Sequence, residues 1–191
     1  RQNRENQEKT ATAALSFGTD NVAISLNGAL RDFGDLKGGK KTGFQSPSGY
    51  DEQMLDFKTL MKKGKSLFTL AHQYFEASDV PLYHKVTLEN YSISEFNPQK
   101  RNLSYLKYEF AGKKTLLSKL NLTASLQQTK EGRLSEKLGT NLQVNEEDKV
   151  RTYGLSAVLT SDGKGFWQAS TGLEYYSDDV QSNKITKNRQ T

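Results

Sequence analysis

The side chains best suited to proton transfer or metal binding in this chain are its two histidines, His72 and His84. Histidine does such chemistry near neutral pH, but two isolated copies cannot form a multi-histidine metal site. The chain contains no cysteine, which excludes disulfides, thiolate metal sites and a cysteine nucleophile. His84 follows Tyr83 in a polar segment, and both side chains are candidate contacts for an iron complex.

Lys100 and Arg101 form a second candidate group. Adjacent cations, together with His84, would attract an anionic ligand. A solvated surface loop is the simpler interpretation of Lys100, Arg101 and His84, and a single histidine in a polar loop often has no special role. The ligand-binding candidates of the sequence are therefore loop residues, each with a structural alternative.

Serine, glycine-rich and acidic segments give no catalytic or metal motif. Ser16, Ser25 and Ser125 have no paired base, so a serine hydrolase has little support. The segment 38–40 lacks the spacing of a phosphate loop, and the acidic run 146–148 lacks that of a calcium loop. We therefore expect a chain that is not an enzyme and has no cofactor and no metal site.

The composition of the 191 residues excludes some classes of protein. No run approaches 18 apolar residues, so a transmembrane helix is not expected. The net charge of +5 comes from cations spread along the whole chain, and no basic tract indicates a nucleic-acid partner. Residues 1–9 and 178–191 are typical of polar loops, so we expect one all-β segment, 1–191, cut from a longer chain.

Period-2 alternation of apolar and polar residues predicts strands. It is clearest in 117–127, where Leu120, Leu122, Ala124 and Leu126 alternate with polar residues. Eight segments show the pattern: about 10–17, 22–30, 50–61, 67–75, 103–110, 117–127, 153–159 and 167–175.

The expected connections alternate between short and long. The short ones are 18–21, 62–65, 111–114 and 161–165, and the long ones are about 34–47, 76–100 and 130–149. A barrel that crosses an outer membrane has tight turns at one end and long loops at the other. The sequence thus predicts an all-β fold: an antiparallel up-and-down meander of about eight strands, part of a transmembrane β-barrel.

Aromatic residues concentrate at both expected ends of the strands. Near the short turns lie Phe17, Phe68, Phe110, Phe166 and Trp167, and near the long loops lie Phe33, Tyr50, Tyr74, Phe75, Tyr153, Tyr175 and Tyr176. Aromatic girdles at the two membrane interfaces have this distribution. His72 is expected on the lipid-side face close to one girdle.

A family resemblance agrees with this prediction. The run GYDEQMLDFKTLMKKGKSLFTLAHQYFEASDVPLYHK, residues 49–85, resembles the barrel of TonB-dependent outer-membrane receptors. That family has a Gly-Tyr-acidic entry into a strand, a turn, an LTLAHQ-like strand and a following DVP in the same order. ENYSISEFNPQKRNLSYLKYEF, residues 89–110, continues the likeness, which covers about residues 10–177.

The resemblance implies import of a large scarce ligand, such as a ferric siderophore, haem, cobalamin or a glycan. It also implies the outer membrane of a Gram-negative bacterium, contact with outer-membrane lipid, and TonB as a partner through a plug domain that this sequence lacks. Two alternatives remain open. The first is a free-standing, small-ligand-binding β-barrel of lipocalin type, and the second is a structural or adhesive β module.

Overall fold

The computed structural model describes residues 7–39, 43–112, 116–163 and 165–189. They form one large antiparallel sheet, a two-residue ladder in one connection, and one short helix. The elements are β1 (Lys9–Gly18), β2 (Val22–Phe33), β3 (Leu36–Lys37), β4 (Phe44–Gln45), β5 (Tyr50–Lys63), β6 (Ser66–Ser78), β7 (Val80–Pro81), α1 (Tyr83–Leu88), β8 (Tyr91–Ala111), β9 (Lys119–Lys137), β10 (Leu142–Asp162) and β11 (Gln168–Asn188).

The strand order confirms the predicted meander. The sheet runs β1-β2-β5-β6-β8-β9-β10-β11, and each neighbouring pair is antiparallel, while β7 pairs beside β8. The strands β1 and β11 are the two ends of this order, and no ladder joins them within the described residues. In the same part of the chain, no helix is long and apolar enough to cross a membrane.

The short connections lie close to their expected positions. The β1–β2 turn is 19–21, where Val22 N–H donates to Thr19 Oγ1 over 3.1 Å. The β5–β6 turn contains Gly64, whose φ of +59° suits glycine. Parts of the other two predicted turns, 113–114 and 164, lie outside the described residues, as does residue 40 of the glycine-rich segment.

The predicted long loop 130–149 is wrong. Strands β9 and β10 continue through it and are joined at 138–141. Its polar side chains do not oppose strand formation, because the ladder is made by the backbone and cross-strand ion pairs join the side chains. One such ion pair joins Lys130 Nζ to Glu147 Oε2 over 2.6 Å.

Two other segments expected as loops are also partly ordered in strands or a helix. Residues 76–100 contain the end of β6, β7, α1 and the start of β8. The predicted polar end 178–191 forms the second half of β11 up to Asn188. Residues 1–6 and 190–191 lie outside the described part of the chain.

Candidate functional site: the two faces of the sheet

The ladders join apolar residues into rows that cross every long strand. Residues directly opposite each other in a ladder lie on the same face of a sheet. One row is Phe17, Ile24, Thr59, Leu70, Leu106, Ala124, Leu155 and Tyr175. We call this side of the sheet the apolar face and the other side the polar face.

The apolar face is exposed to a degree that is unusual for large apolar side chains. Leu15 is 70% exposed, Leu155 is 57% and Leu173 is 75%, and all three lie on this face. Contiguous apolar surface of this extent marks an interaction site, since soluble monomers rarely expose it.

The polar face is the more buried one. Thr69, Ala71 and Ala77 are 3–4% exposed, and all three lie on the polar face of β6. Large apolar side chains are thus exposed on one face of the sheet, and small or polar side chains are buried on the other. Among the described residues no large side chain is fully buried. The sheet therefore has the reverse polarity of a soluble barrel.

The border of the apolar region is inclined to the ladder rows. Counted from the short turns, the last apolar residues on this face are Leu30 in β2 and Leu55 in β5. In β9 and β10 they are Leu126 and Tyr153. The row that contains Leu30 also contains Lys100, Lys130 and Lys149. Strand tilt produces such an incline, because tilted strands meet a level boundary at different rows. We call the part of the apolar face between the short turns and this border the apolar band.

Only part of the predicted aromatic distribution is correct. Tyr74, Tyr153 and Tyr175 lie on the apolar face at its loop-side border. Phe75 and Tyr176 lie on the polar face, because consecutive residues of a strand point to opposite sides. Phe33 and Tyr50 are also on the polar face, where their rings stack with centroids 4.7 Å apart.

The structure separates the predicted cationic pair. Lys100 is on the apolar face and Arg101 on the polar face of β8. Lys100 Nζ forms an ion pair with Glu76 Oε1 over 2.8 Å, and Arg101 Nε donates to Gln127 Oε1 over 3.0 Å. The two cations therefore cannot hold one ligand together.

Tyr83 and His84 lie in α1 rather than in an irregular loop. This helix has no side-chain cap, and Leu82 N–H before it donates to Ser94 O of β8 over 2.7 Å. His84 is exposed and Tyr83 is half-buried. Within the described ranges, His, Asp and Glu side chains form no group of three placed to hold a metal ion. Lys100 and Arg101 belong to the middle of β8, so the candidates do not form one cluster.

The polar face carries its own ordered groups near the loop end of β2 and β5. Arg31 Nη1 forms an ion pair with Glu52 Oε2 over 3.1 Å, next to the stacked rings of Phe33 and Tyr50. No motif in the sequence indicates these residues. They become neighbours through the β2–β5 register, which places residue 31 opposite residue 52 and residue 33 opposite residue 50.

The connection 34–49 is anchored by Asp35. Its Oδ1 accepts hydrogen bonds from the backbone N–H groups of Ser48, over 2.7 Å, and Gly49, over 2.9 Å. The bond from the Ser48 N–H, followed by one from the Ser46 side chain, lowers the pKa of Asp35 below its ordinary value although burial opposes this. The ionised form of Asp35 is thus the one favoured by its contacts with residues 46, 48 and 49.

No protein-family model, curated protein or solved structure matches this chain.

Proposed function

We propose that this chain forms part of the wall of a transmembrane β-barrel in the outer membrane of a Gram-negative bacterium. The observation that carries this proposal is the reverse polarity of the sheet, which exposes large apolar side chains and buries small or polar ones. In a membrane barrel the apolar face meets lipid and the polar face lines the lumen. A soluble barrel of lipocalin type requires the opposite arrangement.

The dimensions of the apolar band support the same proposal. On β2 the band extends from Val22 to Leu30, and a strand crosses a bilayer with about 9–11 tilted residues. The incline of its border agrees with strands that tilt relative to a level membrane. In this arrangement the short turns lie on the periplasmic side and the loop ends of the strands on the outer side.

The finer proposal is a TonB-dependent receptor that imports a ferric siderophore, haem, cobalamin or a glycan. It is supported by the resemblance of residues 49–85, which form the β5–β6 hairpin, β7 and the start of α1. The chain would then supply barrel wall, and TonB would act through a plug domain elsewhere in the receptor. Arg101 would face the lumen, and Tyr83 and His84 would lie at the outer side.

Cysteine labelling of adjacent residues tests the membrane proposal, because the chain has no native cysteine. Leu106 and Lys107 are consecutive in β8 and lie on opposite faces. Leu106→Cys and Lys107→Cys, each labelled with a fluorophore, are reconstituted in vesicles that contain a lipid-borne quencher. We expect strong quenching at position 106 and little at 107, with the reverse order for a water-soluble quencher.

Two outcomes would contradict the proposal. A chain that folds in water without detergent and shows no lipid quenching at either position would favour the lipocalin-type alternative. Equal lipid quenching at both positions would indicate adsorption of a disordered chain rather than a spanning wall. Circular dichroism of both labelled variants provides the folding control.

A further inference from the structure

Three lysines are aligned across three strands on the apolar face. Lys130 lies directly opposite Lys100 in the β8–β9 ladder and directly opposite Lys149 in the β9–β10 ladder. Like charges that are directly opposite in a sheet destabilise it. A bound anion would remove this repulsion.

Nearby carboxylates neutralise the row only in part. Glu76 pairs with Lys100 over 2.8 Å, and Glu147 pairs with both Lys130 and Lys149 over 2.6 Å each. Three lysines therefore share two carboxylates. Arg151 lies two residues nearer the apolar band along β10 and is a further cation. Its ladder partner is Asp179. In the described part of the chain, Arg151 forms no ion pair.

These cations surround a recess that can admit a small anionic group. The recess has a volume of about 250 Å³, and Lys100, Lys130, Lys149 and Arg151 line it together with Asn102, Gln128 and the carboxylate of Asp179. A guanidinium binds phosphate through two parallel hydrogen bonds, and ammonium groups add positive charge. Amide side chains can donate further hydrogen bonds to phosphate oxygens.

The position of the recess relative to the apolar band indicates where the anion comes from. Gln128 and Arg151 lie two residues beyond Leu126 and Tyr153, about 7 Å along the strands, and the lysine row lies four residues beyond them, about 13 Å. Aromatic residues at the border of a band mark the headgroup level of a bilayer. Acyl chains of a lipid bound here would lie against the apolar band directly below its headgroup.

We propose that this recess, on the apolar face of β8, β9 and β10, binds the phosphate of a membrane lipid headgroup. The inference rests on the proposed function, because it requires the apolar band to be in contact with lipid. Basic clusters next to a membrane-spanning region bind anionic lipid in this way. Free phosphate has no acyl chains to contact the apolar band, so a lipid is the expected occupant.

The test uses the full chain in nanodiscs of phosphatidylcholine with a minor fraction of phosphatidic acid. The apparent affinity for phosphatidic acid is measured by native mass spectrometry for the wild type, Lys130→Gln, Arg151→Gln and the double variant. We expect about a fivefold loss of affinity for each removed charge and about a 25-fold loss for both. Arg101→Gln is the matched control, since it removes a cation from the other face of β8, and we expect no change in lipid affinity.

Each outcome decides the inference. Unchanged affinity in the double variant would overturn it, and so would displacement of the lipid by inorganic phosphate, which would indicate a soluble ligand. Arg151→Lys keeps the charge and provides a second reading if Arg151→Gln does not fold. Quenching at labelled position 106 distinguishes failure of this inference from failure of the proposed function. Normal insertion without preference for phosphatidic acid overturns only this inference. Failure to insert overturns the proposed function as well.

Discussion

His72 Nδ1 lies 2.8 Å from Ser104 Oγ, directly across the β6–β8 ladder and within the apolar band. Their row also contains Phe57, Leu126 and Tyr153. His72 Nδ1 and Ser104 Oγ supply each other's hydrogen-bond partner, so neither of these two atoms is unpaired in the band. This arrangement matters most where water is absent, because an unpaired polar group is then costly.

Replacing Ser104 by alanine tests that role. In a bilayer, Ser104→Ala should lower the free energy of unfolding by about 1–3 kcal/mol, because His72 loses its partner in an apolar medium. Ser25→Ala, on the polar face, should change it by less than about 0.5 kcal/mol. Urea unfolding from lipid vesicles, followed by circular dichroism, measures both. Equal small effects would mean that water reaches His72.

An arginine in the middle of the apolar band should be far more harmful than one outside it. Leu106 is 50% exposed in the band, and Leu88 is 80% exposed at the end of α1. We expect Leu106→Arg to cost about 2–4 kcal/mol in vesicles, as at a bilayer midplane, and Leu88→Arg to be nearly neutral. Unfolding titrations of the two variants in the same lipid give the comparison. A neutral Leu106→Arg would contradict a lipid-facing band.

Gly132→Ala should be destabilising. Gly132 is buried in β9, and a Cβ there would overlap the carbonyl oxygen of Asn97 at the irregularity of β8 between Phe96 and Gln99. Such overpacking costs about 1–3 kcal/mol because the neighbouring backbone must move. Gly28→Ala is the matched control, since the nearest atom to its Cβ would be Met54 O at 3.7 Å. Denaturant unfolding compares the two, and equal stabilities would show that β8 adjusts without cost.

The contact of Asp35 with the backbone of Ser48 and Gly49 should loosen at acidic pH. The pKa of Asp35 is lowered in the folded chain, so its stabilising effect is present above the unfolded value of about 3.9 and is lost as the pH falls through the folded value. Asp35→Asn should mimic this loss at neutral pH, because a neutral amide is a weaker acceptor. Hydrogen exchange of the Ser48 and Gly49 amides reports the change. If these amides exchange as slowly in Asp35→Asn as in the wild type, the carboxylate does not hold this segment. Asp20→Asn, in the β1–β2 turn, is the control.

The sequence was sufficient to predict the strands wherever one face is apolar. The alternation of Leu120, Leu122, Ala124 and Leu126 predicts β9, and the structure confirms it. The sequence was insufficient beyond the band, where residues 130–149 and 178–188 are mostly polar on both faces and period-2 patterning disappears. There the strands are stabilised by pairing with neighbours, and a single segment does not contain that information.

The same reason explains the outcome for the candidate residues. Strand geometry places Lys100 and Arg101 on opposite faces once β8 is known to include them. The sequence pattern, however, predicts a loop up to about residue 100. The row Lys100, Lys130 and Lys149 depends on the register of two ladders, and register is set by the pairing of whole strands. Charged residues far apart in the sequence thus become neighbours without a local motif.

The strands have unequal lengths, so they end at two different levels on the side of the sheet that is opposite the short turns. At about 3.4 Å per residue, β10 is about 71 Å long and β6 about 44 Å. Strands β8 to β11 therefore continue well past the ends of β1, β2, β5 and β6. In the proposed barrel, a bulky solute would approach the polar face over the short strands, where the connections with β3, β4, β7 and α1 lie. From the opposite side it would meet continuous hydrogen-bonded sheet. The register of the backbone thus gives the loop end of the sheet a high side and a low side, whatever conformation the connections adopt.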